Sequence, residues 1–235
     1  MLCLAIDTAT PLGSAAVLRD SELLSEVSAR GLEAHSALAL PLAEEALRRA
    51  GLGLEALDAL AVGTGPGSFT GVRIGVATAK GLSLARALPL YGVSSFEAML
   101  EAAAGVRGPV LTALDARRDE LYAALSVDDP AAPEGRRWAM GPRHAKPEQI
   151  AAAVRALVGE TAVFALSDLS PALKARLAAE GLTLTHGAPM LGSPMARFVG
   201  AVVTGRRGAL DTGALEPTYV RASDAKLPGG RSLAP

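Results

Sequence analysis

Leu2-Cys3-Leu4-Ala5-Ile6-Asp7-Thr8-Ala9-Thr10 opens the chain, and Pro109-Val110-Leu111-Thr112-Ala113-Leu114-Asp115 answers it near the midpoint. Each is a short apolar run closed by an aspartate, which reads as a buried strand ending in a turn. Outward from the first run, the chain turns at Thr10-Pro11-Leu12-Gly13 and returns as strands over 15–18 and 23–29. A helix is expected over 35–50 with Gly51 as its stop, then a strand over 57–62, a Gly/Pro turn over 63–68 and a helix over 69–87. A strand over 90–93 and a helix over 95–104 follow. Outward from the second run come strands over 121–127 and 137–140, then a helix over 147–158 opened by Pro147 at its first position. A strand over 161–166, a helix over 171–179 stopped by Gly181, a strand over 182–185 and a helix over 195–205 complete the copy. The order β-β-β-α-β-α-β-α therefore occurs twice. It predicts a duplicated α/β fold with lobes at 1–106 and 107–221, and an irregular Pro/Gly-rich tail at 222–235. Asp7 and Asp115 hold equivalent positions, and in such folds ligands sit at the carboxyl ends of the strands, between the halves.

That duplicated plan is similar to the one shared by actin, Hsp70 and the sugar kinases, the ASKHA fold. Composition narrows what such a fold can do here. Of 235 residues, 50% are hydrophobic but only 3% aromatic, so the core is built from Ala, Leu and Val, and stacking platforms for bases are scarce. Net charge is −1 and the isoelectric point about 6.3, which lacks the basic excess of a protein that grips nucleic acid unaided. Cys3 is the single cysteine and can form no intramolecular disulfide. Asp7 interrupts the first apolar stretch, so no signal peptide is read, no uninterrupted apolar span reaches membrane length, and a cytoplasmic location is expected.

Gly63-Thr64-Gly65-Pro66-Gly67-Ser68-Phe69-Thr70-Gly71-Val72-Arg73-Ile74-Gly75 is the most informative motif. A glycine-rich turn from strand to helix is a natural phosphate cradle, because free amides and the helix dipole point at an anion. Its spacing is not that of a P-loop, and no Lys-Ser/Thr pair follows the last glycine; nor does it fit a dinucleotide fingerprint. The same residues also serve a sharp reversal with close backbone packing. Asp7, Thr8, Gly65, Gly67 and Asp115 are the candidate nucleotide contacts. Asp115 is followed by Ala116-Arg117-Arg118-Asp119, which leaves no glycine for a ligand to approach, and either aspartate serves equally as a turn cap. His35, His144 and His186 are isolated from one another, and Ser14, Ser68 and Ser95 have no hydrolase arrangement. No catalytic constellation, metal site or cofactor site is expected.

Ala5-Ile6-Asp7-Thr8-Ala9-Thr10, His35-Ser36 leading to Pro41, Gly65 to Gly75 with Ala79-Lys80-Gly81-Leu82, Leu114-Asp115-Ala116-Arg117 and Pro217-Thr218-Tyr219-Val220-Arg221 together resemble the TsaB family. The resemblance implies a non-catalytic relative of TsaD, the catalytic subunit of the machinery that places threonylcarbamoyl on a tRNA adenosine. Where TsaD carries two metal-binding histidines, Ser95 and Met99 stand here, and a hydroxyl and a thioether are poor substitutes for imidazoles. The glycine-containing nucleotide turn of TsaD is matched by Leu114 to Arg118. The resemblance implies a scaffold that binds TsaD directly and, with TsaE, supports transfer to adenosine 37 of tRNAs reading codons that begin with A, with tRNA met through the complex. A different class remains open: a small ATP-dependent phosphotransferase or ATPase of the same fold, using Asp7 and the Gly65–Gly71 loop. A peptidase is a third reading, which no nucleophile or zinc site supports.

The partner surface is expected on the first two helices. Gly71, Gly75, Ala79 and Ser83 recur every four residues and form one smooth ridge on a single helical face, which lets another backbone approach. Leu38 and Leu42 add apolar groups on the first helix, which carries them on more than one side. With this ridge facing outward, the same surface serves TsaD or, in its absence, a second copy of the chain in a homodimer; the alternative packs the ridge internally.

Overall fold

A computed structural model describes residues 1–30, 35–132, 135–186, 195–204, 215–218 and 220. In the first half, β1 (Leu2–Asp7), β2 (Leu12–Arg19) and β3 (Glu22–Arg30) form an antiparallel meander. After α1 (His35–Ala50), the strands β4 (Ala59–Gly63) and β5 (Leu90–Val93) join parallel to β1, with α2 (Phe69–Arg86) between them. α3 (Ser95–Ala102) leads out of this lobe. The second half repeats the scheme with β6 (Val110–Asp115), β7 (Leu121–Asp128), β8 (Arg136–Ala145), α4 (Pro147–Val158), β9 (Val163–Asp168), α5 (Pro171–Ala179), β10 (Leu184–His186) and α6 (Ala196–Thr204). The sheets run β3-β2-β1-β4-β5 and β8-β7-β6-β9-β10, the same order twice, so the duplicated two-lobe fold expected from the element order is what forms.

β1 reads as a continuous apolar run because it is covered on both faces. Leu4 and Ile6 meet Leu42, Ala43, Ala46 and Leu47 of α1 and Val72, Val76 and Ala79 of α2. Cys3 and Ala5 point the other way, into a core shared by the lobes that gathers Phe96 and Met99 of α3, Val110 and Leu114 of β6, and Ala196, Val199 and Val203 of α6. Leu111, Leu121 and Leu125 form a third core with Ile150 and Val154 of α4 and Leu173 and Leu177 of α5.

α6 follows the second sheet in sequence but lies against β1, β2 and β4 of the first. Small residues make the approach: a Cβ on Gly200 would collide with Leu18 Cδ1 and stand 3.3 Å from Ala5 Cβ. The Ala196 amide donates to buried Ser14 Oγ at 3.1 Å, and Arg197 forms an ion pair with Glu26 of β3. Leu215 returns the chain to the first-lobe core. Thr218 then lies over the first sheet, its amide donating to Thr64 O at 2.7 Å.

Helix ends follow local chemistry. Gly51 at φ +68° ends α1, with its own amide and that of Leu52 donating to Arg48 and Leu47. Ser94 and Glu97 close a reciprocal capping box on α3. β8 continues to Ala145, beyond the strand expected over 137–140. Its pairing with β7 jumps from Met140–Leu125 to Arg143–Ala123, so Gly141-Pro142 forms a bulge within an edge strand.

Candidate functional site

Asp7 ends β1 beside Gly63, which ends β4, and the glycine-rich loop folds over the turn between them. Asp7 is fully buried. Its Oδ1 accepts the Ala9 amide at 3.2 Å, while Oδ2 has no hydrogen-bond partner. Burial pushes the carboxyl up to about 6, and the hydrogen bonds from the Ala9 and Thr10 backbone offset only part of that rise. Thr8 Oγ1 donates to Gly71 O at 2.6 Å. The Ser68 amide donates to Ala9 O at 2.7 Å, and Ser68 Oγ caps α2 by accepting the Gly71 amide at 3.2 Å.

Four glycines spaced by four make this contact. A Cβ on Gly63 would meet the Asp7 carboxyl, with Cγ 3.0 Å away. One on Gly67 would lie 2.9 Å from Ala9 Cβ and collide with Ala9 O, and one on Gly71 would run into Thr8 O. One on Gly75 would strike Thr8 Oγ1 and touch Val62 Cγ2 at 3.7 Å. Gly65, at φ +89°, begins a cis Gly65–Pro66 peptide and accepts the Ser95 amide at 2.7 Å. The cradle thus holds the chain's own residues 7–9, and the Ser68 and Gly71 amides, which an anion would need, are already used.

Asp7, Thr8, Gly65 and Gly67 are therefore brought together, whereas Asp115 stands on the second sheet, where its Oδ1 accepts the Arg117 amide at 2.6 Å. Both aspartates cap turns. Ser95 and Met99 are buried on α3, Met99 within the shared core. Among the described residues no group of three or more His, Cys, Asp or Glu could hold a metal. The side chains of His35 and His186, and residues Tyr219 and Arg221, lie outside the described set.

The expected outward ridge is corrected. Gly71, Gly75, Ala79 and Ser83 are all buried: the first two press on Thr8, Ala79 enters the first-lobe core, and Ser83 Oγ donates to Leu88 O at 2.7 Å. Small residues at this spacing signalled a close backbone approach, and the backbone that approaches is the turn after β1. Leu42 is likewise buried, and Leu38 is partly buried against the same core. The outward side of these helices carries Leu40 at 44% exposure, Phe69 at 47% and Leu84 at 74%, with the Arg73 guanidinium 3.7 Å above the Phe69 ring. Leu40 is one of the apolar residues that the sequence places on more than one side of the first helix; Phe69 and Leu84 escape sequence reasoning. The signal was available in Leu84, a large apolar residue beside the ridge position Ser83 with no sheet to cover it.

Residues 23–170, more than half of the chain, match the family model described as TsaD: tRNA N6-adenosine threonylcarbamoyltransferase. The chain belongs to the TsaD family. Within that family its likeness is to TsaB, as its motifs indicated. The tRNA threonylcarbamoyladenosine biosynthesis protein TsaB of Escherichia coli (strain K12) is 43% identical over 124 residues, which cover 52% of this chain and 53% of that protein. The chain thus spans about half the length of the curated relatives it matches. The solved structure of YeaZ from Pseudomonas aeruginosa superposes with a TM-score of 0.75 at 26% identity, over 93% of this TsaD-family chain and 99% of that one. Component A of the (R)-2-hydroxyglutaryl-CoA dehydratase of Acidaminococcus fermentans shares the fold alone, with a TM-score of 0.50 at 10% identity over 87% of this chain and 98% of that one. The architecture is of the actin-like ASKHA class. No helix among the described residues is long and apolar enough to cross a membrane.

Proposed function

We propose that this chain is a non-catalytic scaffold that binds TsaD and, together with TsaE, supports threonylcarbamoyl transfer to adenosine 37 of tRNA in the cytoplasm. The observation that carries the reading is the closure of the glycine-rich loop on residues 7–9. It occupies the place where an ASKHA enzyme would cradle phosphate and buries the strand-end carboxylate. Family membership without an open phosphate cradle fits a protein retained for what it binds. The partner surface is the outer side of α1 and α2, around Leu40, Phe69 and Leu84, large apolar side chains that are each in part exposed to solvent.

Co-purification with TsaD, followed by a threonylcarbamoylation assay with and without this chain, tests the reading. We expect a stable complex and tRNA modification that depends on the chain. Full activity of TsaD with TsaE alone sinks the scaffold role. ATP turnover by the isolated chain that Asp7→Ala abolishes favours the phosphotransferase alternative.

A further inference from the structure

The first lobe fills its strand ends with its own chain, but among the described residues no glycine-rich loop folds over the equivalent end of the second lobe. Asp115, the β6–β7 hairpin, the end of β8 and the start of α4 converge there, at the carboxyl edge where open α/β sheets take ligands. A cavity of about 530 Å³ opens beside the β8 bulge, lined by Gly141, Pro142, Arg143, His144, Ala145 and Gln149. Next to it the hairpin tip turns through three consecutive left-handed residues, Arg117 (φ +66°), Arg118 (+53°) and Asp119 (+59°), with both arginines exposed.

Charge at this edge is uneven once the pairs are formed. Glu148 accepts Arg176 at 2.6 Å, with Asp119 4.0 Å from the same guanidinium. Glu120 lies 2.8 Å from His144 Nε2, off the line of a hydrogen bond, and Asp115 holds the Arg117 amide. The carboxylates are engaged. Among the described residues Arg117, Arg143 and Lys146 have no ion-pair partner, and all three are exposed.

We propose that this edge is a contact for the phosphodiester backbone of RNA, with Arg117, Arg143 and Lys146 each meeting phosphate oxygens. It rests on the tRNA-modification reading above and adds a direct RNA contact to it. A single small anion is held by convergent donors in an enclosed nest. Cations on three separate segments around an open cavity suit a ligand that repeats its charge. With a whole-chain charge of −1, such a patch adds affinity to a complex without gripping RNA alone.

The test uses the full chain in complex with TsaD and an unmodified transcript of a tRNA reading a codon that begins with A. Binding is followed by fluorescence anisotropy across a salt series. The triple variant Arg117→Asn/Arg143→Gln/Lys146→Gln keeps a residue at position 117 that tolerates the left-handed backbone. We expect it to bind TsaD as the wild type does, to lose about tenfold or more in tRNA affinity, and to flatten the salt slope by about two to three. A control that removes the same charge elsewhere, Arg19→Gln/Arg30→Gln/Arg107→Gln, is expected to leave both unchanged. Unchanged affinity and slope in the triple variant, or an equal loss in the control, overturns the proposal. So does tRNA binding that is indifferent to the triple variant while millimolar inorganic phosphate binds the wild type and not the variant, since the site is then one for a small anion. If the triple variant melts early, Arg143→Glu/Lys146→Glu, which leaves the hairpin intact, carries the same measurement. Should the chain not bind TsaD at all, the scaffold reading fails, and the variants are read on the chain alone at low salt.

Discussion

Asp7 and Asp115, the matched aspartates of the two lobes, make the same turn: Oδ1 of each accepts the backbone N–H two residues on, Ala9 at 3.2 Å and Arg117 at 2.6 Å. Their surroundings differ. Asp7 is sealed under Gly63, and Asp115 reaches solvent.

Asp7 should therefore make stability depend on pH. Its carboxyl is raised from 3.8 to about 6, so the stability tied to the protonated form is complete below pH 3.8 and is lost as the pH rises through about 6. Asp7→Asn cannot ionise, and it should stabilise the fold at pH 8 relative to wild type by up to about 3 kcal/mol, with a much smaller gain at pH 4. Thermal melts of both proteins at the two pH values check this; a difference in Tm that ignores pH contradicts it. Asp115→Asn keeps the turn acceptor and should change stability by less than about 0.5 kcal/mol.

The inward ridge separates two kinds of glycine on one helix. Gly71→Ala drives a methyl group into Thr8 O and should cost about 1–3 kcal/mol, and Gly75→Leu at least as much. Gly81 has nothing within 4 Å of its would-be Cβ, so Gly81→Ala should stabilise by about 0.5–1 kcal/mol through helix propensity alone. Urea unfolding of the three variants provides the measurement. A Gly71→Ala protein as stable as wild type would mean that the turn after β1 is not packed as described.

Leu84→Glu alters a side chain already largely in solvent and should leave stability within about 0.5 kcal/mol, and Leu40→Glu, at a site a little under half exposed, should cost no more than about 1 kcal/mol. If α1 and α2 present the partner surface, each should weaken TsaD binding by about 2 kcal/mol, roughly thirtyfold. Calorimetric titration decides it, and unchanged affinity in both variants moves the interface elsewhere.

Arg197→Ala leaves the Glu26 carboxylate, whose side chain is only 9% exposed, without its partner. Because Arg197 is itself 42% exposed, the expected loss is about 1–3 kcal/mol. Adding Glu26→Gln should restore part of it. A double variant weaker than the sum of the two singles would show that the pair does not act through charge.

Most of the fold was legible in the sequence because local signals agreed with one another. Gly51, Pro147 and Gly181 mark helix boundaries by backbone chemistry alone, and the repeated apolar-run-to-aspartate pattern carries the duplication. The site was legible in part. Glycines at 63, 67, 71 and 75 announce close contact, but what comes close is set by strands far apart in sequence, and periodicity holds no record of that. The end of β8 escaped notice because a Gly-Pro bulge and a strand stop look alike to local rules. The placement of α6 on the opposite lobe escaped for the same reason, since its apolar face fits either sheet.

Residues 196–204 leave the ribosome after all the strands they cover. Until they arrive, the Cys3–Ala5–Leu18 face of the first sheet has no lid, although its strands are made a whole lobe earlier. The nascent chain must therefore carry an apolar sheet surface through the synthesis of the second lobe, which invites chaperone capture and makes truncations before α6 more damaging than their length suggests. A fragment ending before Met195 should accumulate in inclusion bodies.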